Sequence, residues 1–95
     1  MISVVATLKI RPGKEQEFEQ VASELVAKVN ANEPGCLLYA LHRGNDPQTY
    51  VFLERYADEA ATEAHRASAH FKELGAKMGP CMDGRPDVQR FTQIA

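Results

Sequence analysis

An α+β fold in the order β-α-β-β-α-β, with a four-stranded antiparallel sheet and helices over one face, is predicted by three features of the 95-residue chain. The first ten residues alternate at the period of a strand. Apolar residues between Phe18 and Val29 recur at helical spacing. Two runs rich in aromatic and β-branched residues, 36–43 and 50–56, flank a segment dense in turn formers.

In the first strand Ile2, Val4, Ala6, Leu8 and Ile10 alternate with Ser3, Val5, Thr7, Lys9 and Arg11, and Pro12-Gly13 ends it. A helix follows in which Phe18, Val21, Ala22, Leu25, Val26 and Val29 share a face, with Glu15 and Glu17 in the first turn, where the helix dipole favours carboxylates. Glu33-Pro34-Gly35 stops it, because the residue before a proline is driven out of helical geometry and glycine permits a reversal. A strand from Cys36 to Arg43, the turn-forming Gly44-Asn45-Asp46-Pro47 and a strand from Tyr50 to Tyr56 read as a hairpin. Asp58 is a suitable N-cap for a short helix over Glu59 to Arg66. Ser68 can cap another in which Phe71, Leu74 and Met78 share a face, closed by Gly79-Pro80. After Asp83-Gly84-Arg85-Pro86, the segment Asp87 to Ile94 supplies the fourth strand, with weak alternation. This order is the split βαβ, or ferredoxin-like, arrangement.

The length and a composition of 44% apolar and 25% charged residues suit one ordinary globular domain, residues 1–95. A net charge of −2, with Lys and Arg scattered, offers no basic field for a phosphate backbone, so nucleic acid is not an expected partner. No apolar run approaches membrane-spanning length, and Met1-Ile2-Ser3-Val4 has no basic segment before an apolar one. The expectation is a cytoplasmic protein with no membrane association. In that compartment Cys36 and Cys81 are expected to be free thiols.

The middle strands carry a further message. Leu37-Leu38-Tyr39-Ala40-Leu41 and Tyr50-Val51-Phe52-Leu53 are apolar on both sides, whereas a sheet with one wet face should alternate cleanly. Helices protect only one face, so a second copy of the chain is the expected cover for the other, giving a homodimer.

Candidate chemistry gathers at Glu54, Tyr56, His65 and His70. Glu54 lies between Phe52 and Tyr56 on one strand face, so its carboxylate is partly desolvated unless it meets a donor, and His65 is a natural one. Such a pair would orient the ring, raise its basicity and prepare it to take a proton from an acidic substrate. The competing account has Glu54 bridging to Arg55, Arg66 or a backbone amide while His65 merely fills space. His70 is a candidate substrate-binding residue, or, early in its helix, could simply face solvent. Tyr39, Phe52, Tyr56 and Phe71 can line an apolar pocket for a flat aromatic or quinone-like ligand, or can be plain core. No metal site is expected, since His65 and His70 are five apart across an expected helix break and His42 stands alone. Nucleotide, flavin-fold and hydrolase motifs are likewise absent from the sequence.

The ordered set Pro12-Gly13-Lys14-Glu15, Glu33-Pro34-Gly35-Cys36 with Tyr39, Phe52-Leu53-Glu54-Arg55-Tyr56, Ala61, Ala64-His65, Ser68 and His70-Phe71 resembles the antibiotic biosynthesis monooxygenase family, from about Ile2 to Phe91. The resemblance implies a dimeric ferredoxin-like fold with a pocket between sheet and helices. It also implies oxidation of phenolic or quinol substrates by molecular oxygen without flavin, metal or haem, so no cofactor is expected. Once deprotonated, such a substrate is electron-rich enough to reduce oxygen itself, and the protein need only bind, deprotonate and exclude water. On this resemblance His65 with Glu54 assists proton removal, and Tyr39, Tyr56 and Phe71 shape the pocket. The chain departs from the polyketide-tailoring members in having no tryptophan. Ala6, Tyr56 and Gly75 stand where haem-degrading relatives carry asparagine, tryptophan and histidine, so haem degradation is not expected. Two other functions stay open: an isomerase of a phosphorylated sugar-like signal, with Arg43, Arg55 and Arg66 as the candidate phosphate ligands, and a non-catalytic ligand-binding dimer.

Overall fold

Strand alternation and helix stripes fold onto one another in a computed structural model that describes residues 1–95. The chain runs β1 (Ile2–Lys9), α1 (Glu15–Asn32), β2 (Cys36–Arg43), β3 (Thr49–Tyr56), α2 (Glu59–Ala67), α3 (Ala69–Met78), a 3₁₀ turn (Gly79–Cys81) and β4 (Asp87–Thr92). The strands form one sheet in the order β2-β3-β1-β4, every neighbouring pair antiparallel. This is the ferredoxin-like α+β fold expected from the order of elements.

Val4, Ala6 and Leu8 of β1 and Tyr50, Phe52 and Tyr56 of β3 point toward the helices and are buried. Phe18, Ala22, Leu25 and Val29 of α1 pack onto this face, joined by Leu74 and Met78 of α3. The period-2 and period-3.6 patterns meet in one core.

Local chemistry sets the ends of the elements. The turn after β1 uses Gly13 at φ +88°, a conformation that costs a residue with a Cβ far more than glycine. The main chain of α1 stops at Glu33, whose N–H still donates to the Val29 carbonyl before Pro34 ends the helix. The Asp58 carboxylate accepts from the Ala61 amide at 2.9 Å and starts α2. Ser68 serves two helices: its hydroxyl donates to the His65 carbonyl at 2.7 Å, and its oxygen accepts from the Phe71 amide at 3.2 Å. The corner between α2 and α3 is tied by that one side chain.

A bulge between Cys36 and Leu38 inserts an extra residue into β2 and leaves Leu37 and Leu38 both exposed. The face of the sheet away from the helices carries Val5, Leu38, Ala40, Leu53 and Phe91, and no helix of the chain covers it. β4 is exposed along its whole length.

The approach of β2 to α2 is close at one point. A Cβ added to Gly35 would lie 2.7 Å from the Ala61 Cβ, inside carbon–carbon contact distance, so α2 would have to move. Gly35→Ala is therefore expected to lower the unfolding free energy by about 1–3 kcal/mol in denaturant titration. An unchanged transition midpoint would show that the two elements are not in tight contact.

Candidate active site

α2 and α3 hold their histidines on opposite sides of the Ser68 corner, and both rings turn toward the C-terminal end of α1. His65 in the last turn of α2 places Nδ1 3.1 and 3.0 Å from the two carboxylate oxygens of Glu33. His70 in the first turn of α3 places Nε2 2.5 Å from Glu33 Oε2. The Glu33 and His65 side chains are 8% and 6% exposed and that of His70 is 16% exposed, so the cluster passes from the interior to the surface.

The ring of His65 is held by aromatic packing. Its centroid lies 4.6 Å from that of Phe71, 5.1 Å from Tyr39 and 5.6 Å from Tyr56, all tilted. Burial, aided by the nearby His70 and Arg66, lowers the imidazole pKa against the opposing pull of the Glu33 carboxylate, so the ring is biased toward its neutral form. A carboxylate only accepts, so the Nδ1 facing Glu33 carries the ring proton and Nε2 keeps the lone pair. Nε2 has no partner within the chain and is not sealed off. It opens on a cavity.

That cavity measures about 320 Å³ and lies between the sheet and α2–α3, with Val4, Phe52, Glu54, His65, Phe71 and Met78 in its wall. The volume is at the small end of ligand pockets, suited to a compact ring system. Its lining is apolar but for a few groups, among which Glu54 and Arg66 stand out. Burial lifts the Glu54 carboxyl to about 7, although the hydrogen bond donated by the Tyr56 hydroxyl, 2.5 Å from Glu54 Oε1, opposes the shift. Near neutral pH the cavity thus offers one basic nitrogen and one carboxyl poised between its two states. Desolvation and the neighbouring Glu54 hold the Tyr39 and Tyr56 phenols far above their ordinary range, so both stay protonated. A larger groove of about 640 Å³ between α1 and β2 is open and lies away from both histidines.

Of the side chains singled out from the sequence, His65, Glu54, Tyr39, Phe52 and Phe71 stand in the cavity wall. Tyr56 and His70 stand behind it, the first bonded to Glu54 and the second to Glu33. The expected Glu54–His65 hydrogen bond is corrected by the structure, in which His65 bonds to Glu33 and Glu54 accepts from the Tyr56 hydroxyl. Tyr56 lies two residues from Glu54 on the same strand face and captures it, while the helix corner turns His65 Nδ1 toward Glu33. Nor does His70 simply face solvent. Glu33 was hidden inside a helix-stop signal, Glu33-Pro34-Gly35. A clue was present: a carboxylate at a helix C-terminus opposes the dipole and needs a compensating donor.

The three arginines weighed as phosphate ligands do not converge. Arg43 makes a two-pronged bond to Glu19 at 3.2 and 3.0 Å, Arg55 is exposed on the opposite sheet face from Glu54, and only Arg66 reaches the cavity wall. No group of three His, Cys, Asp or Glu side chains is arranged to hold a metal ion. Cys36 and Cys81 are unpaired, and burial together with Glu33 pushes the Cys36 thiol up to about 11, which leaves it a poor nucleophile.

The raised Glu54 pKa has a measurable consequence. The folded state holds this proton more tightly than the unfolded chain, so its contribution to stability is complete below about pH 4.5 and is lost as pH rises through 7. Glu54→Gln keeps an acceptor for Tyr56 and removes the titration. Its unfolding free energy relative to the parent is expected to rise by on the order of 2 kcal/mol between pH 5 and pH 8, partial exposure of the carboxyl reducing the full linkage value. A difference that does not vary with pH would place the carboxyl in a solvated setting.

Comparison with known proteins agrees with the geometry. Residues 1–77 match the family model described as antibiotic biosynthesis monooxygenase. The chain is 33% identical over 90 residues to "Putative monooxygenase YcnE" of Bacillus subtilis (strain 168), covering 95% of each protein. It is 28% identical over 78 residues to "Putative monooxygenase Rv0793" of Mycobacterium tuberculosis (strain ATCC 25618 / H37Rv), covering 82% of this chain and 76% of that one. A crystal structure from Caulobacter crescentus CB15, described as a "putative antibiotic biosynthesis monooxygenase", superposes with a TM-score of 0.95 at 46% identity over 99% of this chain and 90% of that one. A sheet of this order, a cavity under its helices and sequence likeness along most of the chain converge on one assignment: the chain belongs to the antibiotic biosynthesis monooxygenase family.

Proposed function

We propose that the protein is a cofactor-independent monooxygenase that oxidises a small phenolic or quinol substrate with molecular oxygen, working as a cytoplasmic homodimer of one-domain subunits. The observation that carries this is His65 in the wall of an apolar cavity with its Nε2 free of any partner in the chain and its Nδ1 anchored on Glu33. The independence from flavin, metal and haem is taken over from the family resemblance.

In this mechanism the substrate ring lies against Phe52 and Phe71, and its hydroxyl gives a proton to His65 Nε2. The resulting phenolate, held out of water, passes electrons to dioxygen and a carbon–oxygen bond forms at a ring carbon bearing hydrogen. Cleavage of the oxygen–oxygen bond leaves one oxygen on the ring as a carbonyl. The other departs as water with the two hydrogens lost from the hydroxyl and the carbon. A phenol and dioxygen thus give a quinone and water, and Glu54 is available to donate or receive a proton at the far side of the ring.

Two features support the wider picture. Leu38 and Phe91 are 43% and 49% exposed on the sheet face that no helix covers, which suits burial against a second copy. Free thiols suit a reducing compartment. The scattered arginines weigh against an isomerase of a phosphorylated sugar.

Oxygen uptake with a panel of phenols and hydroquinones tests the activity. Uptake with one quinone formed per dioxygen consumed is expected, and His65→Ala should lower turnover by about a hundredfold or more. Thermal stabilisation by the same compounds without uptake would replace the enzyme by a binder. Sedimentation at micromolar concentration should show a dimer that Phe91→Glu dissociates. A monomeric parent protein would remove the sheet-to-sheet interface.

A further inference from the structure

Behind the cavity, Glu33 and His70 take no part in its lining, yet Glu33 bonds both to His70 and to His65, which does line it. We infer that Glu33 and His70 form a proton relay that connects His65, and through it the cavity, to solvent. The inference rests on the proposed role of His65 as the proton acceptor and extends it to two residues with no place in that mechanism.

The geometry has three parts. The links are continuous: His65 Nδ1 stands 3.1 and 3.0 Å from Glu33 Oε1 and Oε2, and Oε2 stands 2.5 Å from His70 Nε2. Both ends are open. His65 Nε2 faces the cavity, and His70 borders surface depressions on two sides, one with Cys36 and Ala64 and the other with Lys28 and Glu73. His70 Nδ1 has no partner within the chain and is not sealed off. The middle is shielded, because Glu33 is almost wholly covered and Ser68 ties the corner that carries both rings. A cavity closed around a substrate needs such a path, since a proton taken from the substrate cannot leave by the way the substrate entered.

The transfer balances atom by atom. The relay starts from one proton on His65 Nδ1, one in the hydrogen bond between Glu33 Oε2 and His70 Nε2, and one on His70 Nδ1. A proton arriving at His65 Nε2 releases the Nδ1 proton to Glu33 Oε1. The shared proton settles on His70 Nε2, and His70 Nδ1 yields its proton to water. One proton enters and one leaves, no net charge accumulates, and each ring ends in its other tautomer. When the second oxygen atom departs as water, the same groups run in reverse and restore the starting tautomers. Glu33 and His70 act through His65 and are positioning and relay residues; neither touches substrate.

His70→Gln provides the test, because the glutamine amide can still donate to Glu33 from near the Nε2 position but cannot pass a proton on. In protein with ¹⁵N-labelled histidine, exchange of the His65 Nδ1 proton with water should be slower by about tenfold or more in the variant. A merely structural role predicts the opposite sign, since a loosened corner admits water and speeds exchange. Exchange that is unchanged or faster overturns the relay. With a hydroquinone that the parent enzyme oxidises, the variant should show a fall in kcat at constant KM, restored by millimolar imidazole. A loss that imidazole does not restore counts against it. Absence of oxygen uptake by the parent enzyme defeats the monooxygenase proposal alone, because proton exchange is measured on the ligand-free protein.

Discussion

A carboxylate buried at the end of a helix and bonded to two imidazoles is the constraint around which the rest of this structure is arranged. Glu33 sits where the dipole of α1 is unfavourable and where little water reaches it, a combination that is costly unless donors replace the lost hydration. His65 and His70 supply them from two different helices. Holding both requires α1 to end at Pro34, α2 to approach β2 closely enough to touch Gly35, and the chain to turn sharply at Ser68. Each of these features is local and inexpensive, and together they orient one imidazole to within the reach of a cavity.

The aromatic residues complete that orientation. Packing of Tyr39, Tyr56 and Phe71 around His65 limits the ring to one setting, while the bond to Glu33 selects its tautomer. Rotamer and tautomer are therefore set by different forces, dispersion for one and electrostatics for the other. The same burial that presses the ring into place also biases it toward the neutral, proton-accepting form. On the neighbouring strand Tyr56 and Glu54 make a second polar pair whose carboxyl is disposed to protonation by the apolar wall it shares. Two titratable groups of opposite type thus face one small space.

The two faces of the sheet have separate tasks. The face under the helices supplies core at one end and cavity at the other, because α1 and α2 lean on β2 and β3, α3 packs on α1, and β4 is left free. The opposite face carries Val5, Leu38, Ala40, Leu53 and Phe91 among polar neighbours and is not covered by this chain, and β4 is exposed on both sides. Val88 faces the cavity from this uncovered strand, so a partner that buried β4 would also help to enclose the site.

Much of the fold was legible in the sequence. Strand alternation over Ile2 to Ile10, the stripe from Phe18 to Val29, the Asp58 and Ser68 caps and the hairpin turn at Asn45-Asp46-Pro47 are encoded within a few residues each, and the structure forms the elements they announce with shifts of only a residue or two at the ends. The aromatic wall and the presence of His65 within it were also visible, because strand parity and helix spacing decide which side chains face inward. What the sequence could not determine is who bonds to whom. His65 and Glu33 are 32 residues apart and His70 and Glu33 are 37 apart, and no periodicity connects them. The sequence offered Glu54 as the partner of His65 and Glu33 only as part of a helix stop; the docking of α2 and α3 against the end of α1 placed Glu33 beside Nδ1, while strand geometry gave Glu54 to Tyr56. A hydrogen bond acts over about 3 Å, so its assignment waits on the tertiary packing angles that short-range patterns do not specify.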